Sequence, residues 1–89
     1  MTSSSTPEYT VYTKLGCPNC DKTMAYFDRK GITYTAVDIT KVPAALEYIT
    51  EELGCAEAPV VQSTTDEHDF WSGIRMDKLT QAALRRKAA

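Results

Sequence analysis

The sequence predicts an α/β domain in which three helices flank a four-stranded mixed sheet, with the elements in the order β-α-β-α-β-β-α. Two observations predict this fold class. Strand-like and helix-like residue patterns alternate along the chain, which is typical of β-α-β units. The chain has 89 residues, of which 43% are hydrophobic. That is enough apolar material for one core and leaves no room for a second.

The first strand and helix follow from their residue patterns. Residues 9–13 are strand-like, and a helix opens at Pro18 and continues over residues 21–30. Proline suits a first helical position because its missing N–H would be unpaired there. Gly31 is a typical helix stop. The residues expected on the buried face of this helix are Met24, Ala25 and Phe27.

A second strand and a second helix come next. Residues 32–39 are rich in β-branched and aromatic residues, which predicts a strand. Thr40 is placed to cap the following helix, which has Pro43 in its first turn and ends at Gly54. Apolar residues recur at helical spacing between these two limits. They are Ala45, Leu46, Ile49 and Leu53.

The last third of the chain predicts a hairpin followed by a helix. Residues 60–62 and 69–71 read as strands on either side of a polar turn, and residues 76–86 as the final helix. A β-α-β unit makes the first two strands parallel, whereas the hairpin must be antiparallel. The apolar side of the last helix is expected to contain Leu79, Ala83 and Leu84.

The motif Cys17-Pro18-Asn19-Cys20 lies between the first strand and the first helix. A cysteine at a helix N-terminus is stabilised as a thiolate by unpaired N–H groups and by the helix dipole. Such a thiolate attacks disulfides. A second thiol one turn later can release the mixed disulfide by closing an internal one. The motif therefore indicates thiol–disulfide chemistry. The Cys17–Cys20 disulfide would be the redox centre, and no metal or organic cofactor is expected.

A zinc-binding interaction module is the alternative from a different class, because two cysteines at this spacing also chelate metal. The two further ligands would have to be Cys55 and His68, whose spacing does not form a second paired half-site. We expect Cys55 to be a packed core residue and His68 to be an inert loop residue. No metal is therefore expected.

Composition excludes several other classes. Ten Lys and Arg stand against 12 Asp and Glu, for a net charge of −2, so there is no basic footprint for nucleic acid. No stretch approaches the length of a membrane span. Residues 1–7 read as a short disordered leader without targeting features, before a domain at residues 8–89. Three cysteines, two of them too close in sequence for a cross-link that would restrain much of the chain, favour a reducing cytoplasm. A monomer is expected.

The element order, the Cys17–Cys20 motif and Ala58-Pro59 before the third strand together resemble a thioredoxin-fold protein of glutaredoxin size. Within that fold, the segment 71–77, Trp-Ser-Gly-Ile-Arg-Met-Asp, is similar to the Trp-Ser-Gly-Phe-Arg-Pro-Asp signature of NrdH redoxins. The resemblance extends from about Tyr9 to Arg85. It implies a dithiol oxidoreductase that passes electrons from NADPH and thioredoxin reductase to class Ib ribonucleotide reductase.

The resemblance also implies roles for individual residues. Cys17 would be the attacking thiolate and Cys20 the resolving thiol. Ala58 and a cis Pro59 would shape the cleft, together with Pro18 in the motif, and Lys14 would support the thiolate. Recognition of protein partners would fall to Trp71, Ser72, Gly73 and Arg75.

Departures from the NrdH pattern leave a second enzymatic alternative, a glutathione-dependent dithiol glutaredoxin. Pro18-Asn19 is closer to the Pro-Tyr of that class, and Leu15, Ile74 and Met76 replace residues common in NrdH proteins. Glu57, however, stands where the glutathione site expects threonine. Its carboxylate would repel the carboxylates of glutathione. Thioredoxin reductase is therefore the expected reductant.

Overall fold

A computed structural model describes residues 7–88 of the chain, with side chains up to Arg85. One sheet of four strands has the order β2-β1-β3-β4. β1 is parallel to β2 and antiparallel to β3, and β3 is antiparallel to β4. The predicted mixed sheet and element order are confirmed. The strands are β1 (Tyr9–Thr13), β2 (Tyr34–Asp38), β3 (Val60–Ser63) and β4 (Phe70–Ser72).

The helices are α1 (Pro18–Lys30), α2 (Pro43–Glu47) and α3 (Met76–Ala88). As predicted, α1 ends at Gly31, whose φ of 69° is left-handed. The prediction of one helix from Pro43 to Gly54 was wrong, because α2 gives way to a π-helical turn at Tyr48–Glu52.

A tertiary contact accompanies this wider turn. The Tyr48 hydroxyl accepts a hydrogen bond of 2.8 Å from Gln62 on β3, while the neighbouring Ile49 is buried in the core. Apolar periodicity alone does not distinguish such a turn from an ordinary α-helical one, since both bury Ile49.

Thr40 does not cap α2, which corrects a second prediction. The N-cap residue is Val42 and has no side-chain capping bond. The Thr40 N–H and hydroxyl instead donate to Oδ1 of Asp38, at 2.9 and 2.6 Å. The hydroxyl bond is the main reason that the pKa of Asp38 is lowered. The Thr40 side chain, which was expected to cap α2, therefore forms a local turn with Asp38 instead.

Apolar side chains are buried on both faces of the sheet, because successive residues of a strand point to opposite sides. One core, under α1 and α3, contains Tyr9, Val11, Phe27, Ile32, Val61, Trp71, Leu79 and Ala82. The other, under the π-helical turn, contains Ile49, Cys55 and Val60. Some predicted core positions were wrong by one or two residues, since the helices are rotated relative to the expected faces. Ala25, Leu46 and Leu84 are exposed, whereas Thr23 and Ala82 are buried.

The strand register places three connections at one end of the sheet. Tyr12 is paired with Val60, and Val60 with Ser72. The chain after β1, the chain before β3 and the chain after β4 therefore leave the same end on adjacent strands.

Within residues 7–88, no helix is long and apolar enough to cross a membrane. The predicted leader lies outside the described residues except for Pro7.

Candidate redox site

Cys17 is the N-cap residue of α1, as its position before Pro18 predicted. Its backbone is extended, with φ −108° and ψ 101°, and its Sγ accepts a hydrogen bond of 3.2 Å from the Cys20 N–H. A sulfur in this position takes the place of the oxygen of a Ser or Asp cap. The arrangement favours negative charge on Cys17, because an otherwise unpaired helix donor points at it.

Cys17 and Cys20 form a disulfide. The two residues differ in accessibility, since Cys17 is 6% exposed and Cys20 is 0% exposed. A partner approaching from solvent therefore meets the Cys17 sulfur first. The third cysteine, Cys55, is a free buried thiol in the opposite core, as expected from the sequence.

Pro59 lies beside the disulfide loop at the shared end of the sheet, and the Ala58-Pro59 peptide bond is cis. The Pro59 carbonyl accepts a hydrogen bond of 2.8 Å from the Gly73 N–H. That bond extends the pairing of β3 and β4 by one residue. Pro59 and Gly73 thus form a backbone pair at the end of the sheet where the disulfide loop begins.

Glu57 lies against Gly73, a contact that the sequence did not reveal. A Cβ placed on Gly73 would lie 2.6 Å from Oε1 of Glu57. Gly73 also has a φ of 78°, which favours glycine. The backbone of this position therefore favours glycine, and a Cβ there would displace the end of the Glu57 side chain. The signal available in the sequence was Glu57 two residues before Pro59, but the contact depends on the register of β3 with β4.

Trp71 and Leu15 differ strongly in exposure. Trp71, predicted as a partner-binding residue, is 4% exposed and packs in the core with its ring centroid 5.9 Å from that of Tyr9. Leu15 is 90% exposed, two residues before Cys17. Leu15 therefore contributes accessible apolar surface close in sequence to the disulfide, although the sequence marked it only as a departure from a common proline.

The remaining predicted site residues are distributed around the same end. Lys14 is exposed at the start of the disulfide loop, and Pro18 is exposed at the first position of α1. Ser72 closes β4 opposite Val60. Arg75 is exposed and forms two hydrogen bonds with Asp77, of 3.1 and 2.9 Å. These bonds are the main reason that the pKa of Asp77 is lowered.

The four ligands of the zinc alternative are not brought together. Cys17 and Cys20 are bonded to each other, Cys55 is in the core under the π-helical turn, and His68 is exposed on the turn between β3 and β4. That turn is at the opposite end of the sheet from the disulfide. Among residues 7–88, no group of three His, Cys, Asp or Glu side chains is arranged to hold a metal ion.

A disulfide of a Cys-x-x-Cys motif at a helix N-terminus, beside a cis-proline on a four-stranded mixed sheet, defines a thiol–disulfide oxidoreductase with the thioredoxin fold. The glutaredoxin family profile matches residues 9–67. The chain belongs to the glutaredoxin family.

Two phage proteins and two solved structures are similar to this chain. The chain is 36% identical over 72 residues to the Gene 56 protein of Mycobacterium phage L5, covering 81% of this chain and 68% of that one. It is 31% identical to the Gene 56 protein of phage D29, covering 81% and 78%.

The structure is similar to that of the glutaredoxin-like protein NrdH-redoxin from Escherichia coli, with a TM-score of 0.72, 27% identity and coverage of 82% of this chain and 91% of that one. Glutaredoxin from Archaeoglobus fulgidus matches with a TM-score of 0.70, 22% identity and 84% coverage of each chain. The latter likeness concerns the fold alone. Together the comparisons confirm the predicted thioredoxin fold.

Proposed function

We propose that this protein is an NrdH-type redoxin, which takes electrons from NADPH through thioredoxin reductase and passes them to protein disulfides, with class Ib ribonucleotide reductase as the first candidate acceptor. It would act as a monomer in the cytoplasm, with the Cys17–Cys20 disulfide as its redox centre and no further cofactor. The observation that carries the proposal is the Glu57 carboxylate lying on Gly73 beside the cis-proline.

Glu57 supports thioredoxin reductase over glutathione as the reductant. In the glutaredoxins that the sequence resembles, the residue at this position lies near the docking site of the glutathione carboxylates. A carboxylate at Glu57 disfavours that ligand by like-charge repulsion. The likeness to Escherichia coli NrdH-redoxin, described as having a thioredoxin-like activity profile, points the same way.

The reaction with a client follows from the unequal exposure of the two cysteines. In the reduced protein, the Cys17 thiolate attacks one sulfur of the client disulfide, forms a mixed disulfide and releases the other client sulfur as a thiolate. The Cys20 thiol loses its proton and attacks Sγ of Cys17. This step closes the internal disulfide and releases the second client thiolate, so that two electrons have passed to the client. Thioredoxin reductase then returns two electrons.

We expect NADPH with thioredoxin reductase to reduce the protein at least about 10-fold faster than NADPH with glutathione reductase and glutathione, because a like-charge contact worth ~1.4 kcal/mol already changes a rate by a factor of ten. The measurement is NADPH consumption in the two coupled systems, with a protein disulfide as the final acceptor. Glu57→Thr should narrow the difference between the two rates, because it should speed reduction by glutathione and leave reduction by thioredoxin reductase unchanged.

Equal or faster turnover with glutathione would contradict the proposal and place the protein among the glutathione-dependent glutaredoxins. Pro18-Asn19, the dipeptide closer to that class, would then be the better guide to specificity.

A second prediction concerns Leu15, an exposed apolar side chain two residues before Cys17. An apolar side chain buried by a partner at the centre of a contact contributes more than its polar surroundings. We expect Leu15→Ser to raise the Michaelis constant for thioredoxin reductase about 3-fold to 10-fold, from the loss of roughly 1 kcal/mol of apolar burial. The measurement is steady-state NADPH consumption at varied protein concentration.

The matched control is Leu84→Ser, which changes an exposed leucine on α3, far along the helix from the disulfide. It should leave the reductase kinetics unchanged. Reduction by dithiothreitol, a small reagent that needs no docking surface, should be the same for both variants and the wild type. If both serine variants behaved alike, Leu15 would have no role in docking.

A further inference from the structure

The carboxylate of Glu57 lies over the backbone of Gly73. Its Oε1 lies 2.6 Å and its Cδ 3.2 Å from where a Cβ of residue 73 would be. Gly73 is itself held to Pro59 by a backbone hydrogen bond of 2.8 Å. The negative charge of this exposed side chain is therefore next to the strand end that carries the cis-proline.

The cation nearest in sequence to Gly73 is not paired with this charge. That residue, Arg75, is held by Asp77 through two hydrogen bonds. No ion pair of Glu57 occurs within the part of the chain that the structure describes. The carboxylate is thus free to interact with a bound molecule.

Glu57 and the disulfide lie at the same end of the sheet. Cys17 follows β1, and Glu57 precedes β3, on neighbouring strands. Cys17 retains 6% exposure, which leaves it accessible to a client sulfur. We expect the client residues that flank the reacting cysteine to pass near the Glu57 charge.

We propose that Glu57 is a specificity-determining residue, which favours client segments that carry lysine or arginine next to the reacting cysteine and disfavours segments that carry aspartate or glutamate there. The inference rests on the proposed role of Cys17 as the attacking thiol. Glu57 thus attracts a cationic protein segment, in addition to repelling glutathione.

The test uses three short peptides, each with one internal disulfide, that differ only in having Lys, Gln or Glu after the first cysteine. The protein is first reduced with dithiothreitol, which is then removed. It is mixed with each peptide, and the second-order rate constant of peptide reduction is measured. Two unit charges about 6 Å apart in water change a rate about 3-fold. We therefore expect the Lys peptide to react about 3-fold faster than the Gln peptide and about 10-fold faster than the Glu peptide at low salt.

Two glutamate variants separate this effect from a general charge effect. Glu57→Gln keeps the shape of the side chain and should reduce the ratio of Lys to Glu peptide rates to below about 2. Glu67→Gln removes the same charge from the turn at the opposite end of the sheet and should leave the ratio unchanged. Lys14 and Asp21, the exposed charges next to the disulfide motif, are the same in every variant. High salt should weaken the preference of the wild type.

A wild-type protein that reduces the Lys and Glu peptides at equal rates would overturn the inference, as would a Glu57→Gln variant that keeps the wild-type ratio. The assay contains no reductase, so its outcome is independent of the proposed electron source. A protein that discriminates among the peptides but is reduced by glutathione as readily as by thioredoxin reductase would keep this inference and overturn the proposed function.

Discussion

Cys17→Ser is expected to abolish disulfide reduction, whereas Cys20→Ser should still attack a substrate and accumulate a stable mixed disulfide. The reason is the unequal position of the two sulfurs, since Cys17 caps α1 with 6% exposure and Cys20 is fully buried. A serine hydroxyl is not ionised at neutral pH and does not replace the thiolate. Without Cys20, no internal thiol displaces the bound client.

Intact mass spectrometry of each variant after mixing with a disulfide peptide measures this directly. The Cys20→Ser protein should gain the mass of one peptide chain at close to one per molecule, and the Cys17→Ser protein should gain none. Cys55→Ala is the matched control, because it removes the buried thiol from the opposite core and should leave turnover intact. Trapping by Cys17→Ser with an unmodified Cys20→Ser would reverse the assigned roles.

Trp71→Ala should destabilise the domain by about 3–5 kcal/mol, which is the usual cost of truncating a large buried aromatic residue. Trp71 is 4% exposed, packs against Tyr9 and shares its core with α1 and α3. A domain of this size is stable by about 4–13 kcal/mol. The variant should therefore unfold at much lower urea concentration than the wild type, or fail to fold at 25 °C. Urea denaturation followed by circular dichroism measures the change.

Trp71→Phe provides the control for ring size. The indole Nε1 is buried and has no hydrogen-bond partner among the described residues, so the phenyl ring loses apolar contacts but no hydrogen bond. We expect it to cost about 1–2 kcal/mol, less than half of the alanine effect. A folded Trp71→Ala protein with wild-type stability and a raised Michaelis constant for thioredoxin reductase would instead return Trp71 to the recognition surface predicted from the sequence.

Local sequence signals predicted the elements whose formation depends on neighbouring residues. β1 begins and ends as predicted, and Gly31 ends α1. Cys17 caps α1 because Pro18 is compatible only with the first turn of a helix. The mixed sheet followed from the β-α-β unit and the hairpin, whose connection lengths leave few other topologies.

Signals that depend on packing were less informative. The π-helical turn at Tyr48–Glu52 was missed because it accompanies the contact of Tyr48 with Gln62, a residue on another element. The predicted buried faces of the helices were displaced by one or two residues. On α3, Ala83 was expected on the buried face, but Ala82 is the buried residue. The reason is that an apolar pattern fixes a face only to within the width of one side chain.

The sequence by itself determined the chemistry of this protein, because the reactive group is a motif of four consecutive residues at a helix start. Only the tertiary structure decided which residues surround that group. Trp71, which the resemblance to NrdH redoxins assigned to partner recognition, became core, and Leu15 became surface, since burial is set by where the fold places a residue. The contact of Glu57 with Gly73 exists because β3 and β4 pair in one register, which joins residues 16 positions apart in the chain.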